Sequence, residues 1–499
     1  PATYVFFTSV IPAIAFGEQF NQETDGQYTI TSVLASTAIG GVVQSLFGGQ
    51  PLLIVGVAQP IVLVYSFLYE FTDSNDIPFR PFCSMTLIWT AAMHFAIALL
   101  NGCTFIKYFT ALSGETFGML IALLFVQAAI RGLIDEFDLD ESDINEDVGD
   151  TLNIWNQVNG LWALLLAAGL CLLSLLFVGA RDWRFFIGPV RAFISDYGPP
   201  VAVVIFTGLS YALRKTPDGI PVRLDVNQVY DSSETGVWST ITELGDLASE
   251  DIFIAIVPAI IITVLFYFDH NVSAQLAQVK EFRLEKPPAY HYDFFLEGCI
   301  TLIVGLCGLP PPNGAIPQSP LHVRSLRGVG EKDSHSSARS QQRVLEQRLS
   351  NLLQSIFVGI CLFLAPVLSL IPRSLLWGYF LYMAAESLPG SMFWERILLI
   401  FTEDSKRSTS ETPSLPSFVD TVPMSTIRNF TIMQIAALGV CYGITWAGIG
   451  GISFPIFIML LVPFRYFVLG RFFEPEHLRD LDPLEDDTQT LEGTSTVSQ

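Results

Sequence analysis

The sequence predicts an all-α polytopic membrane protein with a pair of half-helices and short extended strands at its centre, and three observations carry that prediction. Hydrophobic residues fill 51% of the 499 positions and charged residues only 15%, with a mean hydropathy of +0.47, which is far too apolar for an ordinary soluble protein. Apolar runs of roughly 20 residues, the length that crosses a bilayer core, recur along the whole chain. Two further apolar regions, 48–67 and 308–320, are broken by glycine and proline at matching places in the two halves.

Taken in order, the chain opens inside the apolar run Tyr4–Phe16 with no initiating Met and no cleavable signal pattern, so a cytosolic segment upstream of it is expected. Spanning runs follow at Ile30–Phe47, Cys83–Cys103, Phe117–Leu133, Val158–Gly179, Ile252–Phe268, Leu349–Ile371, Ile427–Trp446 and Ile449–Gly470, with shorter or broken runs between them. The Ser/Thr/Pro-rich segment Glu403–Met424 reads as a surface loop. Asn429-Phe-Thr matches a glycosylation acceptor by chance, since it falls on the expected cytosolic side.

Positive residues set the orientation. Lys107; Arg181, Arg184 and Arg191; Lys280, Arg283 and Lys286; the basic residues of 324–348; and Lys406 with Arg407 occupy alternate connections, which places these on the cytosolic side. The stretches 135–150 and 214–246 then lie outside, both chain ends are cytosolic, and the number of spans is even. The net charge of −22 comes largely from residues 135–150 and the tail after Glu474, which read as solvated segments rather than as a docking surface for a basic partner. No nucleic-acid partner is expected. The seven cysteines show no paired spacing, so neither a metal site, a disulfide framework nor a cofactor is expected.

The broken regions read GGQPLLIVGVAQPIVLVYSF and GLPPPNGAIPQSP. Proline cannot continue a helix but suits its first turn, so each region is an extended piece followed by a half-helix starting near Gln59 or Gln318. Extended backbone in hydrocarbon cannot be left unpaired, so the two pieces pair with each other or line a polar cavity. The half-helix N-termini then aim free N–H groups and positive dipole ends toward one place, which suits a small oxyanion or a hydroxylated neutral solute. Such paired, interrupted segments mark the midplane sites of inverted-repeat transporters.

Asp269 ends the apolar run 252–268, where an unpaired charge costs about a few kcal/mol. Its residues leave two readings open: an ion- or proton-handling acid, or a helix-end acid at the cytosolic interface. His270 reads as a packed or interfacial histidine, with proton shuttling as the alternative. Glu18 is a second acid in an apolar stretch, with an interfacial end charge the first reading. An intramembrane hydrolase would need a second carboxylate or a nucleophile and base beside Asp269. None is evident, so no enzyme is expected. An open anion channel would need a continuous polar pore and would show single-channel steps.

The chain is similar to the anion exchanger and bicarbonate transporter family through QPLLIVG at 50–56, EQRLSNLL at 346–353, GYFLYMAAESLPG at 378–390 and ERILLIF at 395–401. It resembles most the borate exporter branch of that family, through IPAIAFGEQ at 11–19, YFDHNVSAQLAQ at 267–278, YHYD at 290–293 and PPNGAIPQSPLH at 311–322. The resemblance implies a uracil permease-like fold of about fourteen spans in two inverted repeats of about seven. It divides the chain into a core (1–109 and 251–372), a gate (110–213 and 373–474), an extracellular loop (214–250) and a disordered acidic cytosolic tail (475–499). A homodimer through the gate, a plasma-membrane location and an elevator-like shift of core against gate follow from the same resemblance.

It also assigns residues. Gln59, Pro60, Asn313, Gln318 and Ser319 would contact the substrate, with Asp269, Ser273 and Glu18 serving proton or ion coupling, by protons or sodium. Many exchangers of the family carry an arginine where this chain has Gln318. An arginine fork suits a permanent anion, whereas an amide both donates to and accepts from hydroxyls, as B(OH)3 and B(OH)4− require. The implied activity is export of borate or boric acid; bicarbonate/chloride exchange is the alternative and an anion channel a more distant one.

Overall fold

A computed structural model of the chain describes residues 1–139, 152–213, 216–217, 219–226, 240–279, 282–327, 344–403 and 418–482. Most of the acidic stretch 135–150, much of the loop 214–246, Lys280, most of the basic loop 324–348, Lys406 with Arg407, and the tail beyond residue 482 lie outside the described residues.

The first half contains α1 (Ala2–Glu23), α2 (Ile30–Phe47), β1 (Val55–Gly56), α3 (Gln59–Ser74), α4 (Phe79–Leu99), α5 (Ala111–Asp135), α6 (Leu152–Val178) and α7 (Gly188–Leu209). The second contains the short α8 (Thr240–Glu243) and α9 (Ser249–Ile254), then α10 (Ile256–Ala277), α11 (Tyr290–Leu306), β2 (Asn313–Gly314), α12 (Gln318–Ser325), α13 (Leu349–Cys361), α14 (Ala365–Leu368) and α15 (Ser374–Ser387). After these come α16 (Met392–Phe401), α17 (Phe418–Thr421), α18 (Met424–Ile444), α19 (Phe454–Phe467) and α20 (Pro475–Leu481).

Among the described residues, nine helical segments are long and apolar enough to cross a membrane. They include Gly188–Ala212, which the apolar runs alone do not isolate. Its helix carries Pro199 and Pro200 in its interior, and proline usually breaks a helix. The opening helix is also longer than its apolar run, so Glu18 lies inside α1 rather than at its end.

The chain divides into two compact units. One comprises residues 1–101 and 125–383, the other 102–124 and 384–499. In the first, α4 packs against α11, α2 against α13, α6 against α7 and α1 against α2. Leu87 of α4 and Leu296, Ile300 and Val304 of α11 are buried in one cluster, which Leu309 completes. The α4–α11 contact is close because Gly305 has no side chain: a Cβ there would stand 2.7 Å from Cβ of Leu87, and small residues are what let membrane helices approach. On α6 and α7, Leu161, Leu165, Leu172 and Val204 remain exposed.

In the second unit, α16, α18 and the end of the described chain surround a core of Leu112, Leu399, Phe418, Ile427, Phe430, Leu469, Leu478 and Leu481. Buried Arg396 donates to Glu115 at 3.2 Å, to Gln434 at 2.6 Å and to the Leu481 carbonyl at 3.1 Å. Asp482 accepts from the Leu112 N–H at 2.7 Å and from Arg465 at 2.6 Å. Both groups therefore tie the start of α5 to elements far along the chain.

Candidate functional site

The proline-broken regions form one structure. β1 and β2 pair antiparallel with Val55 opposite Gly314 and Gly56 opposite Asn313, and the Ala315 N–H donates to the Ile54 carbonyl at 2.8 Å. This pairing satisfies backbone that hydrocarbon would otherwise leave bare. Helices α3 and α12 start at Gln59 and Gln318, where the prolines predict them, and Pro60 lies in the first turn of α3.

Side chains from distant elements hold the approach to β1. The Asp293 carboxylate, on α11, accepts from the N–H groups of Gly49 (2.6 Å) and Gln50 (3.0 Å). Asn351, on α13, donates to the carbonyls of Pro51 (3.2 Å) and Leu53 (2.8 Å). His322, on α12, bridges the Leu52 carbonyl at 2.9 Å and the Ser350 hydroxyl at 2.6 Å. Motif reading does not reach these clamps, because each side chain stands hundreds of residues from the backbone before β1 that it holds.

Helix α10 packs on β2, α12 and α3 and brings Asp269 and Ser273 to the half-helices. Ser273 Oγ lies 2.8 Å from Ser319 Oγ and donates to the Ala315 carbonyl at 2.9 Å. Ser319 Oγ in turn accepts from the Ile54 N–H at 3.1 Å. Both hydroxyls therefore stitch β1, α10 and α12 together. Asp269 stands one helical turn before Ser273, on the same side of α10; it is 4% exposed, and its Oδ1 has no hydrogen-bond partner.

At the start of α3 and on β2, two amides share that condition. Gln59 is buried with Oε1 unpartnered, and Asn313 is buried with Nδ2 unpartnered, its Oδ1 accepting from the Gly314 N–H at 2.7 Å. Gln318 is half-buried and donates from Nε2 to the Thr8 carbonyl of α1 at 3.3 Å. A residue that sequence reasoning missed joins them: Thr37, on α2, is buried with its hydroxyl unpartnered, and its methyl lies 3.4 Å from where a Cβ on Gly56 would be. Buried polar groups are normally paired, so a carboxylate, two amides and a hydroxyl with spare capacity around two helix N-termini can receive a small hydroxylated solute.

Glu18 belongs to a different neighbourhood. Its Oε1 accepts weakly from Gln22 at 3.4 Å, and its charged neighbours are Arg373, Glu136 and Asp225. Glu136, also buried, accepts from Arg373 Nε at 2.8 Å, from Asn159 Nδ2 at 2.9 Å and from Trp377 Nε1 at 3.4 Å. Beside Glu18, Gln19, Gln22, Glu23, Arg131, Asp135 and Trp377 line a cavity of about 160 Å³. Among the described residues no group of His, Cys, Asp and Glu is arranged to hold a metal ion.

Comparison with known proteins places this geometry. The profile of the HCO3- transporter integral membrane domain matches residues 1–148 and 140–486. "Probable boron transporter 3" of Arabidopsis thaliana is 42% identical over 97% of this chain and 76% of its own length. "Boron transporter 4" of the same plant is 39% identical over 97% of this chain and 83% of its own. Among solved structures, the transmembrane domain of a cyanobacterium bicarbonate transporter, BicA, superposes with a TM-score of 0.55 at 15% identity, covering 88% of this chain and 96% of that one; this likeness concerns the fold alone. The chain belongs to the HCO3- transporter integral membrane domain family, a family of membrane transporters rather than enzymes. The resemblance read from the motifs holds, boron transporters among the relatives included.

Proposed function

We propose that the chain is a secondary active transporter that exports boric acid or borate, binding it where the N-termini of α3 and α12 meet. One observation carries this reading: Gln59, Asn313 and Asp269 are buried there with polar atoms unpartnered, and position 318 holds an amide rather than a cation. Such a set both donates and accepts, as the hydroxyls of a boron acid require. The chemistry balances simply. B(OH)3 and water yield B(OH)4− and one proton, and Asp269 takes up or releases that proton; sodium is the alternative coupling ion, with Ser273 beside Asp269.

The element order supports an inverted-repeat architecture. Counting α1, α3, α11, α12 and α15 with the nine longer segments reaches the expected number of about fourteen spans, and each half-helix is then third in its repeat. The core (1–109, 251–372) would carry the junction past a dimerising gate (110–213, 373–474) in an elevator-type cycle, in a plasma membrane with both chain ends cytosolic. Bicarbonate/chloride exchange is the second reading, favoured by the family's description.

The test is flux in proteoliposomes with borate, bicarbonate and chloride offered separately under an imposed pH gradient. Saturable borate movement driven by the gradient is expected. Faster chloride or bicarbonate than borate exchange would favour the second reading, and unitary current steps would overturn a carrier mechanism altogether.

A further inference from the structure

A pair of ionisable groups begins immediately beside Asp269: His270, next in the chain, faces Glu297 of α11. His270 and Glu297 are both fully buried, and Nδ1 of His270 stands 3.5 Å from Oε2 of Glu297 on α11. The ring of Phe294 lies between two imidazoles, its centroid 4.6 Å from His94 and 5.9 Å from His270. β2 crosses α10 at this point: a Cβ on Gly314 would stand 2.9 Å from Cα of His270, so glycine alone permits the approach. The strand pair that shapes the solute junction therefore rests on the residue that faces Glu297.

An acid and an imidazole buried together are neutral overall only when they hold one proton between them. Removing it leaves a lone carboxylate, and adding another leaves a lone imidazolium; either is costly in a membrane interior. We infer that His270 and Glu297 form a proton-holding pair that works with Asp269, so that the junction is served by two titratable sites, one on the half-helix side of α10 and one on its α11 side. His270 is a positioning residue in this arrangement: a positive charge on it favours an anionic boron species at the junction, and its absence favours neutral boric acid. The pair thus supplies a switchable charge in a site whose position 318 is neutral. The inference rests on the proposed role of Asp269.

Other titratable groups around His270 are accounted for. On α11, Asp293 is within electrostatic reach but is engaged by the Gly49 and Gln50 N–H groups. On α4, His94 is within reach and neither of its ring nitrogens has a partner; Arg80 and Cys83 lie near the far end of that helix. On α12, His322 is held by Leu52 and Ser350, and Arg324 sits in the last turn. On α3, Tyr65 packs on Phe20 and Tyr28, with Glu70 and Asp73 toward that helix's C-terminal end. Glu250 and Asp251 on α9 precede the opposite end of α10, and β2 carries no titratable side chain.

The test compares wild type, Glu297→Gln, His270→Gln and the double variant, each reconstituted at full length. Two readouts are taken: the pH profile of borate flux, and nitrogen NMR of labelled histidine in detergent, with His270→Gln assigning the signal. If His270 and Glu297 share a proton, Glu297→Gln should change both the pH profile of borate flux and the His270 nitrogen signal relative to wild type. The double variant should lose one titration step. Unchanged profile and unchanged histidine signal in Glu297→Gln overturn the inference. If that variant does not fold, the double variant decides, since it leaves no charge unmatched: a lost step supports the pair and an unchanged profile rejects it. If wild type carries no borate, the proposed function fails while the histidine titration still decides the pair.

Discussion

Two buried carboxylates of the same unit stand in contrasting company. Glu136 receives Arg373, Asn159 and Trp377, and Asn159 itself is completed by the Val222 N–H at 3.2 Å. Asp269 is equally hidden, yet one of its oxygens has nothing to bond. A carboxylate saturated by a cation and two further donors fastens helices together. A carboxylate with spare capacity beside two helix N-termini can exchange a proton or meet a solute. Burial alone does not separate the two roles; the completeness of the hydrogen bonding does.

The sharpest break in that comparison comes from neutralising each acid. Asp269→Asn should abolish flux if the proposed coupling role of Asp269 is correct, while the purified variant elutes and melts like wild type. Retained flux with an unaltered pH profile would remove Asp269 from the coupling step. Glu136→Ala should do the reverse: removing the buried carboxylate that receives Arg373, Asn159 and Trp377 costs about 3 kcal/mol or more, seen as a lower melting temperature and poorer yield. A Glu136→Ala protein that is stable but inactive would make Glu136 a transport group and collapse the contrast.

Smaller effects sharpen it at the amides. Gln59→Leu and Gln318→Leu should each cost about 1–3 kcal/mol of solute binding, read as a borate affinity weaker by about tenfold or more with stability little changed. Gln318→Arg should favour permanent anions over borate, because its charge cannot be switched off; chloride and borate fluxes measured side by side would expose unchanged selectivity. The smallest change is expected from Ser273→Ala. Its hydroxyl bonds Ser319 and the Ala315 carbonyl, so about 1 kcal/mol of stability should go while the ratio of borate to coupling ion stays as in wild type. An altered ratio would assign Ser273 to ion binding rather than to the scaffold.

Much of this was legible in residue order. Proline placement locates the starts of α3 and α12 because the rule is local: a residue without an N–H belongs in a first turn. Asp269 stands out for the same kind of reason, as an acid at the end of an apolar run. The helix Gly188–Ala212 was not legible, since its internal Pro199 and Pro200 imitate a break. Glu18 is not the end of a span because α1 continues beyond it to Glu23, with Gln19 and Phe20 still buried.

By itself, the sequence determined that the chain crosses a membrane repeatedly, that two half-helices begin at Gln59 and Gln318, and that an acid, Asp269, follows the apolar run 252–268. These follow from composition, length and backbone chemistry, which act over a few neighbouring residues. Only the tertiary structure decided that Ser273 and Ser319 are stitched into the scaffold, that Asp293 and Asn351 clamp the approach to β1, that Thr37 is left unpartnered, and that Glu297 faces His270. Each of those outcomes turns on atoms brought within about 3–4 Å of one another. Such closeness between residues far apart in the chain is set by how helices pack, not by the order in which residues are written.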